Sequence, residues 1–342
     1  VLVKLNGNWT ATTHATFGTT FGGGSGFSNG RIYIPKKANV ILDINGKTIN
    51  RNLTSSNANG SVIYVHGNLR IIDSGFASNT IYDLDDAMAL NLKSGQITGG
   101  YSTYGGGIYI DGGKFYMYQS AIFLNKATDA AGVFVTNSGE VNIYDGIILK
   151  NIASRTGGGI CSLNNSKINV YGGHLFQNTA THSGGGIYGY EECIRIYGGK
   201  ISYNKAGVAG GGVGLVNSAD SSKKAIINNC IFSHNKAYSG STVKTIGGAI
   251  DANAATVDLD GVEIKNNEAD SGSAIGNVSN KITLKNCTIT DNKATTSDGY
   301  AVQLHDYADN GVYLSCGNNV IILDNRSSSG IVEKNVWIEI YR

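Results

Sequence analysis

Short stretches in which apolar and polar residues alternate recur along this chain, and none of them is long. Val141-Asn142-Ile143-Tyr144 and Ile168-Asn169-Val170-Tyr171 place an apolar side chain at every second position, the period of a strand with one buried face. No segment between them keeps the 3.6-residue spacing of an amphipathic helix. The fold must therefore be assembled from strands of only a few residues.

Two markers set the period of that assembly. An apolar residue followed three positions later by Asn, usually with Ala two residues beyond, recurs at Asn125, Asn151, Asn178, Asn204, Asn235, Asn267 and Asn292. The intervals are 26, 27, 26, 31, 32 and 25 residues, within the range of solenoid repeats. Ile49 to Asn52 and Ile322 to Asn325 keep the same spacing, while Ile72 to Gly75 and Ile97 to Gly100 stand where two members are missing. The second marker, Gly-Gly-Gly-Ile or a variant, lies between the Asn positions at Gly105, Gly157, Gly184, Gly210 and Gly247, and in degraded form at Gly272.

Each repeat thus holds three short strands. About 25 residues is too few for a strand plus the usual helical crossover. The remaining solution is to coil the chain so that each strand pairs in parallel with its equivalent one turn later. The predicted fold is all-β: a single-stranded right-handed parallel β-helix of about ten coils, with three short parallel sheets and an N-terminal cap. The hand follows from the preference of parallel crossovers. At ~4.8 Å per coil the rod would be roughly 50 Å long. Glycines would supply positive φ and close backbone approach at corners, and the recurrent Asn amides would hydrogen-bond the turn and one another as a ladder.

The ends depart from the repeat, as a solenoid's exposed strand edges require. Residues 1–35, with Trp9 and the run Phe21-Gly22-Gly23-Gly24, are expected to form the cap, 36–325 the β-helix and 326–342 a closing segment. The chain stops inside the strand-like run from Val336 to Tyr341, as one domain cut from a longer protein would. The two long intervals place extra length at Asn217 to Lys224 and at Tyr238 to Ile246, where loops would project from the rod.

Composition narrows the function classes. The chain of 342 residues has 48 Gly and 1 Pro, and its 27 basic and 25 acidic side chains nearly cancel. That balance predicts neither nucleic acid nor a membrane surface as partner. No apolar run reaches the roughly 18 residues of a membrane span, and no export signal opens the sequence. The cysteines, Cys161, Cys193, Cys230, Cys287 and Cys316, lack metal-site spacing and are read as small buried hydrophobes. A disulfide is not required.

The paired markers, as in Phe232-Ser233-His234-Asn235 and Gly247-Gly248-Ala249-Ile250, resemble the repeats of chlamydial polymorphic outer-membrane proteins and of large β-helical surface proteins of gut bacteria. Asn39 to Ile49 is similar to the first coil of many such proteins, and Leu69 to Gly75 to the coil that follows. The resemblance spans roughly residues 31 to 325. It implies export to a bacterial surface or medium, without a transporter barrel, and it is specific for architecture rather than activity.

The same fold class contains pectate lyases and polygalacturonases, and a galacturonan hydrolase of that kind would show clustered aspartates on one face with Gly-His-Gly and Arg-x-Lys elements on successive coils. Asp85-Asp86 is the one Asp-Asp pair, and neither Gly-His-Gly nor Arg-x-Lys occurs. Asp258, Asp260 and Glu263, read as lying on one strand, are the candidate carboxylates. Lys285 falls at the offset of Asp260 on the next coil, which an ion pair between coils explains. The six histidines, His14, His66, His174, His182, His234 and His305, share no metal spacing. No cofactor or metal is expected.

An aromatic row is the most suggestive feature. Seven residues before the Asn marker stand Tyr118, Tyr144, Tyr171 and Tyr197, and two residues earlier stand Tyr116, Asn142, Asn169 and Arg195. Alternation with Met117, Ile143, Val170 and Ile196 points all eight outward. Aromatic faces among amide and guanidinium donors suit a glycan surface, although such ladders also stabilise strands with no ligand. The sequence therefore reads as a monomeric, extracellular or cell-surface module of a bacterium, adhesin-like or glycan-binding and non-catalytic. A host or plant glycan or surface protein would be its partner. The alternatives are a polysaccharide lyase or glycoside hydrolase, and a stalk presenting another domain.

Overall fold

The structure is a computed structural model that describes residues 1–11, 30–75, 94–190, 193–216, 224–240, 243–278, 281–306, 313–328 and 335–340. The expected Gly-rich run 21–24, the pair Asp85-Asp86, His14 and most of the insertion at 217–224 lie outside these residues. Among the described residues there is no α-helix, and every strand pairing is parallel.

The chain divides into two units, residues 1–154 with 159–174, and residues 155–158 with 175–342. Each is a right-handed parallel β-helix. In the first unit one coil runs through Lys114–Met117 of the first sheet, Ala121–Phe123 of the second, Lys126–Asp129 of the fourth and Val133–Thr136 of the third before the next begins at Glu140–Ile143. Equivalent residues lie over one another at the spacing of the markers: Tyr116 pairs with Asn142, and Asn142 with Asn169. In the second unit the longer intervals are kept in register too, Ile201 pairing with Phe232 and Phe232 with Ile264.

Alternation decides which side chains enter the core. Phe115 and Met117 point in, over Leu69 and Ile71 of the coil before and Val141 and Ile143 of the coil after, and all are buried. Columns of Ile, Leu and Val inside each coil remove about 1.5–3 kcal/mol worth of apolar surface from water per side chain. This continuous stack compensates for strands of only two to five residues.

Among the described residues there are four sheets rather than the three expected. The fourth is built from the residues just after the Asn marker, such as Lys205–Ala206 and Lys236–Ala237, where Lys205 pairs with Lys236 and Ala206 with Ala237. Its inward residue is the Ala of the sequence signature, buried at Ala127, Ala153, Ala180, Ala206, Ala237, Ala269 and Ala294. The equivalent position one coil before Ala127 holds another small buried residue, Ser102, so the column is one of small side chains.

The glycine triplet performs two tasks. Its first member takes positive φ, as at Gly184 (68°) and Gly210 (63°). Its second member admits close backbone approach: a Cβ on Gly211 would stand 2.4 Å from the Gly248 carbonyl oxygen and 2.6 Å from Lys236 backbone.

The residues expected as a cap supply strands. Leu2–Lys4, Trp9–Thr10 and Ile32–Ile34 pair with Asn39–Asp43, Thr48–Asn50 and Ile63–Val65 of three sheets. Near the other end Val336–Ile340 pairs with Val302–Asp306. Four cysteines are buried thiols as expected, whereas Cys316 is exposed, because it lies on the last described strand of its sheet, which has a neighbour on one side.

Candidate functional site

The outer face of the first sheet carries the predicted row. In the first unit Tyr118, Tyr144 and Tyr171 are 37%, 38% and 42% exposed. They stack with ring centroids 4.8 Å apart at both steps, and interplanar angles of 2° and 9°. The ring faces are turned toward one another, so Tyr144 presents its edge and hydroxyl to solvent and not its faces. Partial burial, followed by the neighbouring phenols Tyr118 and Tyr116 and the carboxylate of Glu140, pushes the Tyr144 phenol up, which keeps it a hydrogen-bond donor. Tyr197 and Arg195 belong to the second unit. Tyr197 is exposed, and the Arg195 guanidinium donates to the carbonyls of Ile194 and Lys224.

One column inward along the strands stand Tyr116, Asn142 and Asn169, in register. Arg70 joins them from the preceding coil, with its guanidinium 5.2 Å from the Tyr116 ring centroid. Asn142 departs from expectation: it occupies an outward position yet is 2% exposed. Its Oδ1 accepts from Asn169 Nδ2 at 3.0 Å, while its own Nδ2, also buried, has no acceptor. Alternation gives the direction of a side chain but not whether its larger neighbours close over it. The next column holds Lys114, Glu140 and Lys167, with Lys114 Nζ 3.2 Å from Glu140.

A second aromatic column lies on the outer face of the third sheet and was not anticipated. Tyr33, Tyr64, Tyr109 and Phe134 follow one another in register, with centroid separations of 5.8, 4.9 and 5.2 Å. Its signal was present in the triplets Ile32-Tyr33-Ile34, Ile63-Tyr64-Val65 and Ile108-Tyr109-Ile110, but alignment on the Asn marker passes over the early coils, where that marker is missing.

Beside this column His66 Nε2 lies 2.8 Å from Asp111 Oδ2, which also accepts from the Tyr64 hydroxyl at 2.7 Å, and Asp111 Oδ1 accepts from Asn137 Nδ2 at 2.7 Å. The carboxylate selects the Nε2–H tautomer of His66, so Nδ1 accepts from the Tyr33 hydroxyl at 3.0 Å. Desolvation works against the Asp111 carboxylate, but the bonds from Tyr64, Asn137 and His66 outweigh it and hold the group below its ordinary value. Residues from four successive coils are tied together here.

The candidate catalytic carboxylates do not converge. Asp258 and Asp260 lie on Val257–Asp260 of the first sheet, whereas Glu263 opens a strand of the second sheet, Glu263–Lys265, so the three do not share a strand as expected. The turn at Gly261, with φ of 68°, separates them. Each has a cation: Asp258 pairs with Lys224, Asp260 with Lys285 at 3.0 Å and Glu263 with Lys265 at 2.7 Å. Among the described residues no group of three His, Cys, Asp or Glu side chains could hold a metal ion, and no helix is long and apolar enough to cross a membrane.

These features define the class of protein as a parallel β-helix with an ordered polar–aromatic outer face. No protein-family model matches the chain, and neither the curated proteins nor the solved structures searched give a significant match.

Proposed function

We propose that this protein is an adhesin-like β-helix module, displayed on or secreted from a bacterial cell, that binds a host or plant glycan through the outer face of its first sheet. The observation that carries this reading is the exposed row Tyr118–Tyr144–Tyr171, flanked by Arg70, Tyr116 and Asn169. A row of phenol hydroxyls beside amide and guanidinium donors can meet successive sugar hydroxyls. The acidic residues considered for catalysis are dispersed and ion-paired, which supports binding over hydrolysis or elimination at those positions.

A glycan array probed with the purified chain tests the reading. Binding by the native protein, and its loss in a Tyr118→Ser, Tyr144→Ser, Tyr171→Ser variant that keeps its β circular dichroism, is the expected result. A native protein that binds no glycan overturns it. A specific observation favours the stalk as second reading: the rings already contact one another, as a purely stabilising ladder would. On that reading the triple variant melts earlier and has no binding to lose.

A further inference from the structure

We infer that the ligand of the tyrosine row is an extended, ribbon-like β-1,4-linked polysaccharide lying along the stack of coils, with carboxylated chains preferred. This rests on the glycan-binding reading above and adds the linkage and charge of the ligand.

Periodicity gives the linkage. Tyr118, Tyr144 and Tyr171 repeat at 4.8 Å with nearly parallel planes, because each ring is fixed to a strand of a parallel sheet. Their exposed edges and hydroxyls form a straight row at that pitch. An extended β-1,4-linked pyranose chain advances by nearly the same distance per sugar, so each successive sugar stands over the next tyrosine without the chain bending, and because alternate sugars are turned over, the 2- and 3-hydroxyls of one and the 6-substituent of the next meet the row in turn. α-1,4-Linked and β-1,3-linked glucans coil into helices and leave the row after a residue or two. Stacking of a sugar on a ring face, which imposes no such pitch, is closed to Tyr144, since both its faces are occupied.

Charge gives the second element. On the same face Arg70, Lys114 and Lys167 stand with the single carboxylate Glu140 between the two lysines in register. The excess positive charge favours a chain bearing carboxylates. Asn142 adds an independent sign of a missing acceptor: its Nδ2 is buried in the middle of the face with no hydrogen bond, and a sugar oxygen that parts the Tyr116 and Asn169 side chains would supply one.

The test is calorimetric titration of the chain with hexasaccharides: cellohexaose, chitohexaose and β-1,4-hexamannuronate against maltohexaose and laminarihexaose. The inference expects the three β-1,4-linked probes to bind at least about tenfold more tightly than the other two, equivalent to about 1.4 kcal/mol. Hexamannuronate should bind best at low salt and lose that lead as salt is raised. Tyr144→Phe, which keeps the stack and removes the central hydroxyl, should weaken β-1,4 binding with an unchanged melting temperature. Equal binding of maltohexaose or laminarihexaose overturns the inference and leaves glycan binding standing. A neutral β-1,4 probe that matches hexamannuronate at low salt overturns the charge preference. Absence of binding by all five probes, with a different glycan captured on the array, overturns the inference alone, and absence of binding on both overturns it together with the reading on which it rests.

Discussion

Asn235 donates through Nδ2 to the Oδ1 of Asn267 at 3.0 Å, and its backbone N–H donates to the same oxygen at 2.8 Å. Asn235 Oδ1 receives the equivalent pair from Asn204, and Nδ2 also reaches the Ile201 carbonyl at 2.8 Å. One buried side chain thus satisfies the turn of its own coil and that of a neighbour. The pattern continues through Asn267, Asn292 and Asn325.

Replacing Asn235 by Ala strands several buried donors and acceptors at once. Each lost partner costs about 1–3 kcal/mol, so Asn235→Ala should destabilise the second unit by about 3–5 kcal/mol, read as an earlier urea midpoint. Asn235→Asp should be no better, because a carboxylate cannot donate to Ile201 or Asn267. A midpoint unchanged in both variants would refute the ladder's structural role.

Gly211→Ala places a methyl group 2.4 Å from the Gly248 carbonyl oxygen. Backbone cannot move aside as a flexible side chain can, and a loss of about 2–4 kcal/mol is expected. Gly240→Ala serves as a surface control, since its nearest atom lies at 3.6 Å in the Tyr238 ring, although its φ of 62° will add some strain. Thermal melts of the two variants should separate by several degrees.

Asp251 should make stability fall as pH rises. It lies between Gly214 and Gly276 in register, with its backbone close to Gly247, and burial pushes its carboxyl up to about 8. The folded value exceeds the unfolded value of about 3.9, so the contribution is complete below about pH 4 and is lost as pH climbs through about 8. Asp251→Asn should therefore gain on the native chain across that window, by on the order of a few kcal/mol, with a constant difference above it. Denaturation midpoints from pH 4 to 9 measure this, and a flat difference would show that the carboxyl ionises normally.

Asp111 has the opposite sign. Its folded value is depressed despite desolvation, through the bonds from Tyr64, Asn137 and His66. Its stabilisation is thus present above the ordinary carboxylate value near 4 and lost as pH falls through the depressed one. Asp111→Asn should lower the melting temperature at pH 7, and the gap from the native protein should close on acidification. A gap that persists at the acid end would mean that the carboxylate charge is not what ties Tyr64 and His66.

The coil was legible because its physics is one-dimensional. Ile148, Leu175, Ile201 and Phe232 stand three residues before an Asn and are buried in the second sheet or at its strand positions, so their spacing directly measures the chain length of one turn. Long intervals were absorbed as added loop length without a change of register, as the pairing of Lys200 with Ile231 shows. The fourth sheet was less legible, since a strand as short as Lys205–Ala206 has no alternation to read. Its Ala was visible as a signature without its reason.

By itself the sequence determined the turn length, the parallel register and the side of the first sheet on which the row Tyr118, Tyr144 and Tyr171 sits, because these follow from which residues must enter the core. Only the tertiary structure decided that the Tyr144 ring faces are occupied by neighbouring rings, that Asn142 is covered, and that His66 meets Asp111 across two coils. Those outcomes depend on side-chain volumes and rotamers contributed by adjacent coils, and distances of a few ångströms between coils leave no periodic trace along a single chain.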